Sequence, residues 1–183
     1  MEHALLLETD LIQRARQYDR QALAQIYDLY SPGLYRYAMR LLGDQSLAED
    51  CVSETFSRFL QALRARKGPQ NYLQAYLFRM AHNWIADQYR RQPLPDVELN
   101  EAMPGRDEGP EEATRQRLRQ ECVRAALRRL TPDQQQVIAL KFFESWENEE
   151  IARALGKPVG AVKSLQHRAL ASLQRMLANE ELI

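Results

Sequence analysis

Residues 92–112 contain Pro93, Pro95, Pro104, Gly105, Gly109 and Pro110 and show no apolar periodicity. Proline removes a backbone donor and glycine multiplies backbone conformations, so no regular helix or central strand is expected to run through such a segment. It divides the 183 residues into a first body, 1–91, and a second, 113–183, each long enough for a modest core. The same segment gathers seven carboxylates against a single arginine. A formal net charge of zero therefore hides a segregation, with 12 basic and 10 acidic side chains before the segment and 12 and 8 after it. Two mildly basic bodies flank a flexible acidic strap.

Both bodies carry helical periodicity. Leu23, Ile26, Tyr27 and Tyr30 recur at helical spacing, Pro32 and Gly33 punctuate, and Leu34, Tyr37, Ala38, Leu41 and Leu42 resume the period until Gly43. Ser46-Leu-Ala-Glu49 has the form of a capping box, followed by Val52, Phe56, Phe59, Leu60 and Leu63 as a buried stripe. After a basic loop from Arg64 to Pro69, the spacing predicts a helix from Asn71 to Arg91, with Leu73, Leu77, Met80, Ala81, Trp84 and Ile85 inward. In the second body Leu118, Cys122, Ala125, Ala126 and Leu130 form a stripe, and Thr131-Pro-Asp-Gln134 opens a new helix with proline at its first position. No useful strand-like alternation occurs, so the expected fold is all-α, two small helical domains.

Several function classes are disfavoured. The two cysteines, Cys51 and Cys122, are far apart and outside any CxxC or Cys/His cluster, which predicts two reduced, partly buried thiols. His3, His82 and His167 are scattered without plausible ligand partners, so no metal, cofactor or catalytic residue is expected. No apolar run approaches the roughly 20 residues of a membrane span, and the leucines near the start are too few and too acidic in context for a secretory signal. The expectation is a cytoplasmic protein without membrane insertion.

Two segments carry functional chemistry. In the run from Glu149 to Ser164 a short helix with Ile151, Ala152 and Leu155 inward meets Gly156, and a second, starting near Pro158, turns Val162, Leu165, Ala169 and Leu173 to the same core. That is a helix-turn-helix pattern, and Arg153, Lys157, Lys163, Arg168 and Arg175 make it basic with no carboxylate between 153 and 175. Lys163, Ser164, His167 and Arg168 share the outward face, while the small Gly160 and Ala161 let the helix start approach a phosphate backbone. In the second segment, 71–91, aromatic residues interleave with Arg79, Arg90 and Arg91, the composition of a surface that grips single-stranded DNA by phosphate contact and base stacking.

The order of these pieces resembles one family, the extracytoplasmic-function (ECF) sigma factors of the sigma-70 family of bacterial RNA polymerase. The carriers are the tyrosine-bearing stretch from Ala22 to Tyr37, Leu42-Gly-Asp44, Ala48-Glu-Asp-Cys-Val-Ser-Glu-Thr-Phe56, Tyr76-Leu-Phe-Arg-Met-Ala-His-Asn83 with Asp87 and Arg90-Arg91, Leu130-Thr-Pro132, and Glu150-Ile-Ala through Lys163-Ser164. The resemblance implies a transcription initiation factor and not an enzyme, with residues 1–91 as a region that docks on the clamp helices of the largest polymerase subunit and opens the minus-ten element. Glu49, Asp50, Glu54 and Phe56 would touch core RNA polymerase, and Lys67, Asn71, Tyr72, Arg79, Asn83, Arg90 and Arg91 would touch melted promoter DNA. Residues 113–183 would read the minus-thirty-five element through Lys157, Gly160, Ala161, Lys163, Ser164, His167 and Arg168 and dock on the flap of the second-largest subunit. An anti-sigma factor is a further implied partner.

The chain departs from the family pattern where Leu165-Gln166 stands for a usual Arg-Leu and Leu170 for a common basic residue. Glu147 replaces a usual serine cap, which leaves Asn148 as the expected cap of the first helix of the pair. Asp50 and Glu54, at i and i+4, share a face, and like charges so placed repel unless a basic partner relieves them. Two other functions fit a helix-turn-helix: a free-standing dimeric DNA-binding regulator, and a helical adaptor that binds only protein.

Overall fold

The structure, a computed structural model, describes residues 2–91 and 111–180. Among these residues eight α-helices and one π-helical turn follow one another without a strand. The first body holds α1 (Glu2–Arg16), α2 (Arg20–Leu42), α3 (Gln45–Arg64) and α4 (Leu73–Arg91). The second holds α5 (Glu111–Arg128), α6 (Pro132–Ile138), the π turn Ala139–Phe143, α7 (Asn148–Leu155) and α8 (Val159–Glu180). The acidic strap lies outside the described residues except for its last two positions, which already belong to α5.

Helix α2 corrects one expectation, because it runs unbroken through Pro32. An internal proline costs about 3 kcal/mol. Here Ala22 and Ile26 before it and Leu34, Tyr37, Ala38 and Leu41 after it form one buried stripe, and burying these six side chains outweighs the lost hydrogen bond. The helix begins where Asp19 Oδ1 accepts from Gln21 N at 2.9 Å and stops at Gly43, whose φ of 71° is a left-handed C-terminal cap. The start of α3 is a second correction. Asp44, not Ser46, is the cap, its Oδ1 accepting from Leu47 N at 2.8 Å, and Glu49 takes the side-chain amide of Gln45 instead. An aspartate also places negative charge at the positive end of the helix dipole.

The Thr131 capping box forms as expected, with Gln134 N donating to Thr131 Oγ1 and Thr131 N to Gln134 Oε1. At α7 the cap position falls on Glu147, whose N–H donates to Glu150 Oε2 at 2.7 Å; Asn148 is the first helical residue and not the cap. The π-helical turn before α7 had no sequence signal. It re-aims the chain so that Trp146 turns inward, its N–H donating to Leu140 O across the widened turn.

The two bodies pack together on one continuous apolar cluster. Phe78 of α4 lies between Tyr37 of α2, 5.3 Å away, and Trp146 of the second body, 5.1 Å away by ring centroids. Arg128 lies 4.6 Å over the ring of Tyr89, and Arg40 donates to Phe143 O while lying over its ring. His82, buried in α4, joins the halves by hydrogen bonds. Pro132 O can only accept, so His82 donates to it from Nε2 at 2.9 Å, and Nδ1 therefore accepts from the Tyr37 hydroxyl at 2.8 Å. Cys51 is buried, and its burial pushes the thiol up to about 12, so it stays protonated; Cys122 is half-buried.

Burial pulls the His82 pKa down to about 4, against the opposing pull of the Pro132 carbonyl and of Asp133. As pH falls, the unfolded chain takes the proton first, near 6.5, so stability drops until about 4, below which both states carry it. The expected loss is at most ~3 kcal/mol over that window. Urea unfolding at a series of pH values should show it in the wild-type chain and not in His82→Gln, which keeps a donor without the titration. Parallel pH profiles of the two proteins would refute it.

Candidate nucleic-acid and polymerase interfaces

The helix-turn-helix forms where the sequence placed it. Ile151, Ala152 and Ala154 of α7 are buried, Gly156 adopts φ 64° at the turn, and Lys157 N donates to Ala152 O to close it. On α8, Val162 and Ala169 are fully buried and Leu165 is half-buried, while Lys163, Ser164, His167 and Arg168 are all exposed. These four recur at i, i+1, i+4 and i+5, one ridge of a helix. Ser164 Oγ donates back to Gly160 O at 3.0 Å and Arg168 Nε to Ser164 O at 3.3 Å. Ser164 is thereby held against its own helix, and the Arg168 guanidinium is steered along the ridge.

Three further residues assigned to this surface lie at the turn and the start of α8. Lys157 is half-buried and its Nζ pairs with Asp133 Oδ2 at 3.0 Å, so its charge is partly used in bracing the turn against α6. Gly160 is exposed with open space around a built Cβ, so nothing inside the fold demands glycine there; Ala161 is half-buried. The family departures read out as packing. Leu165 and Gln166 are half-buried beside Val162, whereas Leu170 is an exposed apolar side chain.

The single-strand candidates fall into a loop and two faces of α4. Lys67 and Asn71 are exposed on the loop after α3, and Tyr72 ends that loop at φ 52°, left-handed for a bulky residue. The loop is tied to the bundle where Glu8 of α1 accepts from Leu73 N, satisfying an orphan amide at the start of α4. Arg79, Asn83 and Arg90, spaced by four and seven, form one exposed row on α4, while Arg91 falls on another face. There Arg91 lines a cleft of about 230 Å³ with Glu54, Arg58, Trp84, Asp87 and Gln88. Arg90 also pairs with Asp87.

The aromatic platform is smaller than expected. Phe78 and Trp84 are core, Tyr76 sits half-buried against Phe59, and Tyr89 donates its hydroxyl to Leu41 O. Only Tyr72, 40% exposed, presents an exposed ring among the aromatics of 71–91, and Arg153 lies over that ring. Alternation of aromatic and basic residues is what any amphipathic helix with an aromatic core shows.

On α3, Glu49 and Asp50 are exposed. Glu54 is half-buried and its Oε1 accepts from Arg58 Nε at 2.7 Å, so the like-charge repulsion expected with Asp50 is met inside the helix. Phe56 is buried under Tyr27 of α2, their ring centroids 4.8 Å apart. The sequence reading missed the exposure of large apolar side chains on α2 and α3: Tyr27 at 49%, Leu29 at 63% and Leu60. Leu60, one turn from Phe56, had been counted as core; only burial in the fold tells the two apart. No group of three or more metal-ligating side chains and no helix long and apolar enough to cross a membrane occurs among the described residues.

Comparison with known proteins agrees with this layout. Residues 26–93 match the Sigma-70 region 2 family and residues 120–173 match Sigma-70, region 4. The chain is 32% identical over 174 residues to the ECF RNA polymerase sigma factor BldN of Streptomyces coelicolor, with 93% of this chain and 66% of that protein aligned. It is 32% identical over 156 residues to the ECF RNA polymerase sigma factor SigL of Mycobacterium tuberculosis, covering 83% of this chain and 86% of SigL. Among solved structures it resembles the sigma factor RpoE in complex with the anti-sigma factor NepR from Bartonella quintana, with a TM-score of 0.55, 25% identity, and 85% and 96% of the two chains covered. A free-standing regulator or a protein-only adaptor would not carry both regions in this order, and the chain belongs to the sigma-70 family, as an ECF RNA polymerase sigma factor.

Proposed function

We propose that this chain joins core RNA polymerase, reads the minus-thirty-five element with α8 and opens the minus-ten element with the loop before α4 and the outer row of α4. The observation that carries this reading is the clean partition of α8, where Val162 and Ala169 are buried and Lys163, Ser164, His167 and Arg168 all face outward. The phosphodiester chemistry is the polymerase's, and this chain supplies recognition without a cofactor or metal of its own. In the first body, the exposed Glu49, Asp50 and Leu60 of α3, with Tyr27 lying on Phe56, offer acidic and apolar groups suited to the clamp helices of the largest subunit. The exposed Leu118, Val123 and Leu170 of the second body suit the flap of the second-largest subunit. An anti-sigma protein is the natural regulator, since a sigma factor of similar fold has been solved in complex with one. These partners place the protein in the cytoplasm. The two bodies at 1–91 and 113–183 would separate on the polymerase, with the strap of 92–112 spanning between them.

The direct test is to add the purified chain to core RNA polymerase with a library of promoter fragments and look for transcripts that start at specific sites. A chain that leaves core polymerase without promoter-directed transcripts would overturn the reading.

Docking is probed by reversing charge on α3. Asp50→Lys with Glu54→Lys should weaken binding to core polymerase about tenfold or more while circular dichroism stays unchanged, because like charges would then face a basic partner. Unchanged core binding would remove α3 from the interface.

Recognition by α8 divides into two kinds of contact. Arg168 carries a planar fork suited to guanine, so Arg168→Ala should relax preference at one base pair of the upstream element by about 1–3 kcal/mol. Lys163, near the helix start, is expected to meet phosphate, so Lys163→Ala should weaken matched and mismatched duplexes alike and reduce the slope of log affinity against log salt by about 1. Holoenzyme binding to both duplexes across a salt series measures both. Equal losses on the two duplexes for Arg168→Ala would make it a phosphate contact.

A further inference from the structure

The loop that carries Lys67, Asn71 and Tyr72 is held differently at its two ends. At the upstream end α3 closes on itself, with Ala65 N donating to Gln61 O at 2.9 Å, Arg66 N to Leu63 O at 3.0 Å and Lys67 N to Ala62 O at 2.9 Å. Gly68 lies so close to the same turn that a built Cβ would meet Leu63 Cδ2 at 2.6 Å. At the downstream end α4 begins after Tyr72, which has no short polar side chain to take a helix amide and whose φ of 52° replaces the extended backbone usual at a cap. The acceptor comes instead from α1, where the Glu8 carboxylate takes the N–H of Leu73, 65 positions away in sequence. We propose that Glu8 is a positioning residue for promoter opening: it caps α4 from a different helix and so fixes the exit of the loop whose Lys67, Asn71 and Tyr72 meet melted DNA.

The peptide unit between Tyr72 and Leu73 is gripped on both sides. Leu73 N donates to Glu8, and Tyr72 O accepts from Tyr76 N at 3.0 Å. Because the peptide is planar, holding its two polar atoms sets the direction in which the Tyr72 ring leaves the backbone. That residue is left-handed, a conformation a bulky side chain keeps only where its surroundings hold it. The grip is firm at the other end as well. Ile12 and Ala15 of α1 are buried, and Arg14 pairs with Asp19 at 2.7 Å, so Glu8 is presented by a helix packed on α2 and α3. Glu8 is half-buried and Leu73 fully buried, which strengthens the bond over one in open water, and the carboxylate sits at the positive end of the α4 dipole. Burial, with Glu8 adding to it, raises the Tyr30 pKa to about 12, so the neighbouring hydroxyl stays uncharged beside the carboxylate. Between the two anchors Lys67, Gln70, Asn71 and Tyr72 are exposed.

This inference rests on the reading of the loop as a DNA contact, and the sign of one effect separates it from a simple charge argument. Glu8→Ala removes an anion beside that loop, which by electrostatics alone should help DNA to bind. Positioning predicts the reverse. In holoenzyme assembled from the full chain and core RNA polymerase, on a promoter recovered from the fragment library, Glu8→Ala should slow open-complex formation about threefold to tenfold, the effect of losing a helix cap. Permanganate reactivity of the melted thymines gives the rate. Glu8→Gln loses the charge but keeps an oxygen acceptor, and should open within about twofold of wild type. For both variants, binding to core polymerase and to the upstream-element duplex should match wild type. Opening by Glu8→Ala as fast as wild type or faster, or by Glu8→Gln as slow as by Glu8→Ala, would overturn the proposal. So would core and duplex binding that fall in step with opening, the pattern of a general loss of stability. Tyr72→Ala in the same holoenzyme tests the underlying reading by itself. Normal opening there would remove the loop from the DNA interface, whereas slow opening with Tyr72→Ala and normal opening with Glu8→Ala would keep the DNA contact and sink the positioning role.

Discussion

A buried imidazole bridges the two halves of this protein. His82 can reside in the core only if both ring nitrogens are satisfied, because an unpaired buried polar atom costs roughly 1–3 kcal/mol. Tyr37 satisfies one from within the first body and Pro132 O the other from the second. Pro132 is the first residue of α6, set in place by the Thr131 capping box. A local motif of one body thus presents the acceptor that completes the core of the other, and the placement of α6, and with it α7 against α4, follows from that demand.

From that junction comes a difference between the two surfaces proposed to meet DNA. The outward ridge of α8 depends only on the packing of Val162 and Ala169 beneath it. The surface around Tyr72 lies at the seam, in contact with α7. Charge follows the same logic, since Lys157 and Glu54, read from sequence as free to meet a partner, are engaged with Asp133 and Arg58 in the fold. Partners at these positions compete with interactions that already exist, and Lys163, Arg168 and Asp50 are the better placed for new ones.

Most of the helices were legible in the sequence because their signals are local. The Thr131 box, the Gly43 and Gly156 stops and the outward set of α8 involve residues within a turn or two of one another. Misreadings came where a local rule was overruled or had two candidates. Pro32 was outweighed by a stripe that continues on both sides of it, Asp44, two residues earlier, outcompeted Ser46 as cap, and Glu147 took the place expected of Asn148. The π-helical turn and its inward Trp146 have no short-range signature, since Trp146 packs against Phe78 of the other body.

The candidate site divides along the same line. Sequence by itself determined which residue types lie on which helices, and that a helix-turn-helix follows an acidic breaker, because periodicity, caps and charge are properties of neighbouring residues. It could not tell Leu60 from Phe56, or Arg91 from Arg90, as surface and interior or as one row and another, because burial and facing depend on what packs alongside. Tertiary structure alone decided that the two bodies share a core and that Arg153 lies on Tyr72. Those residues are 81 positions apart, and no rule of local sequence carries information across a seam whose two sides are joined only by packing.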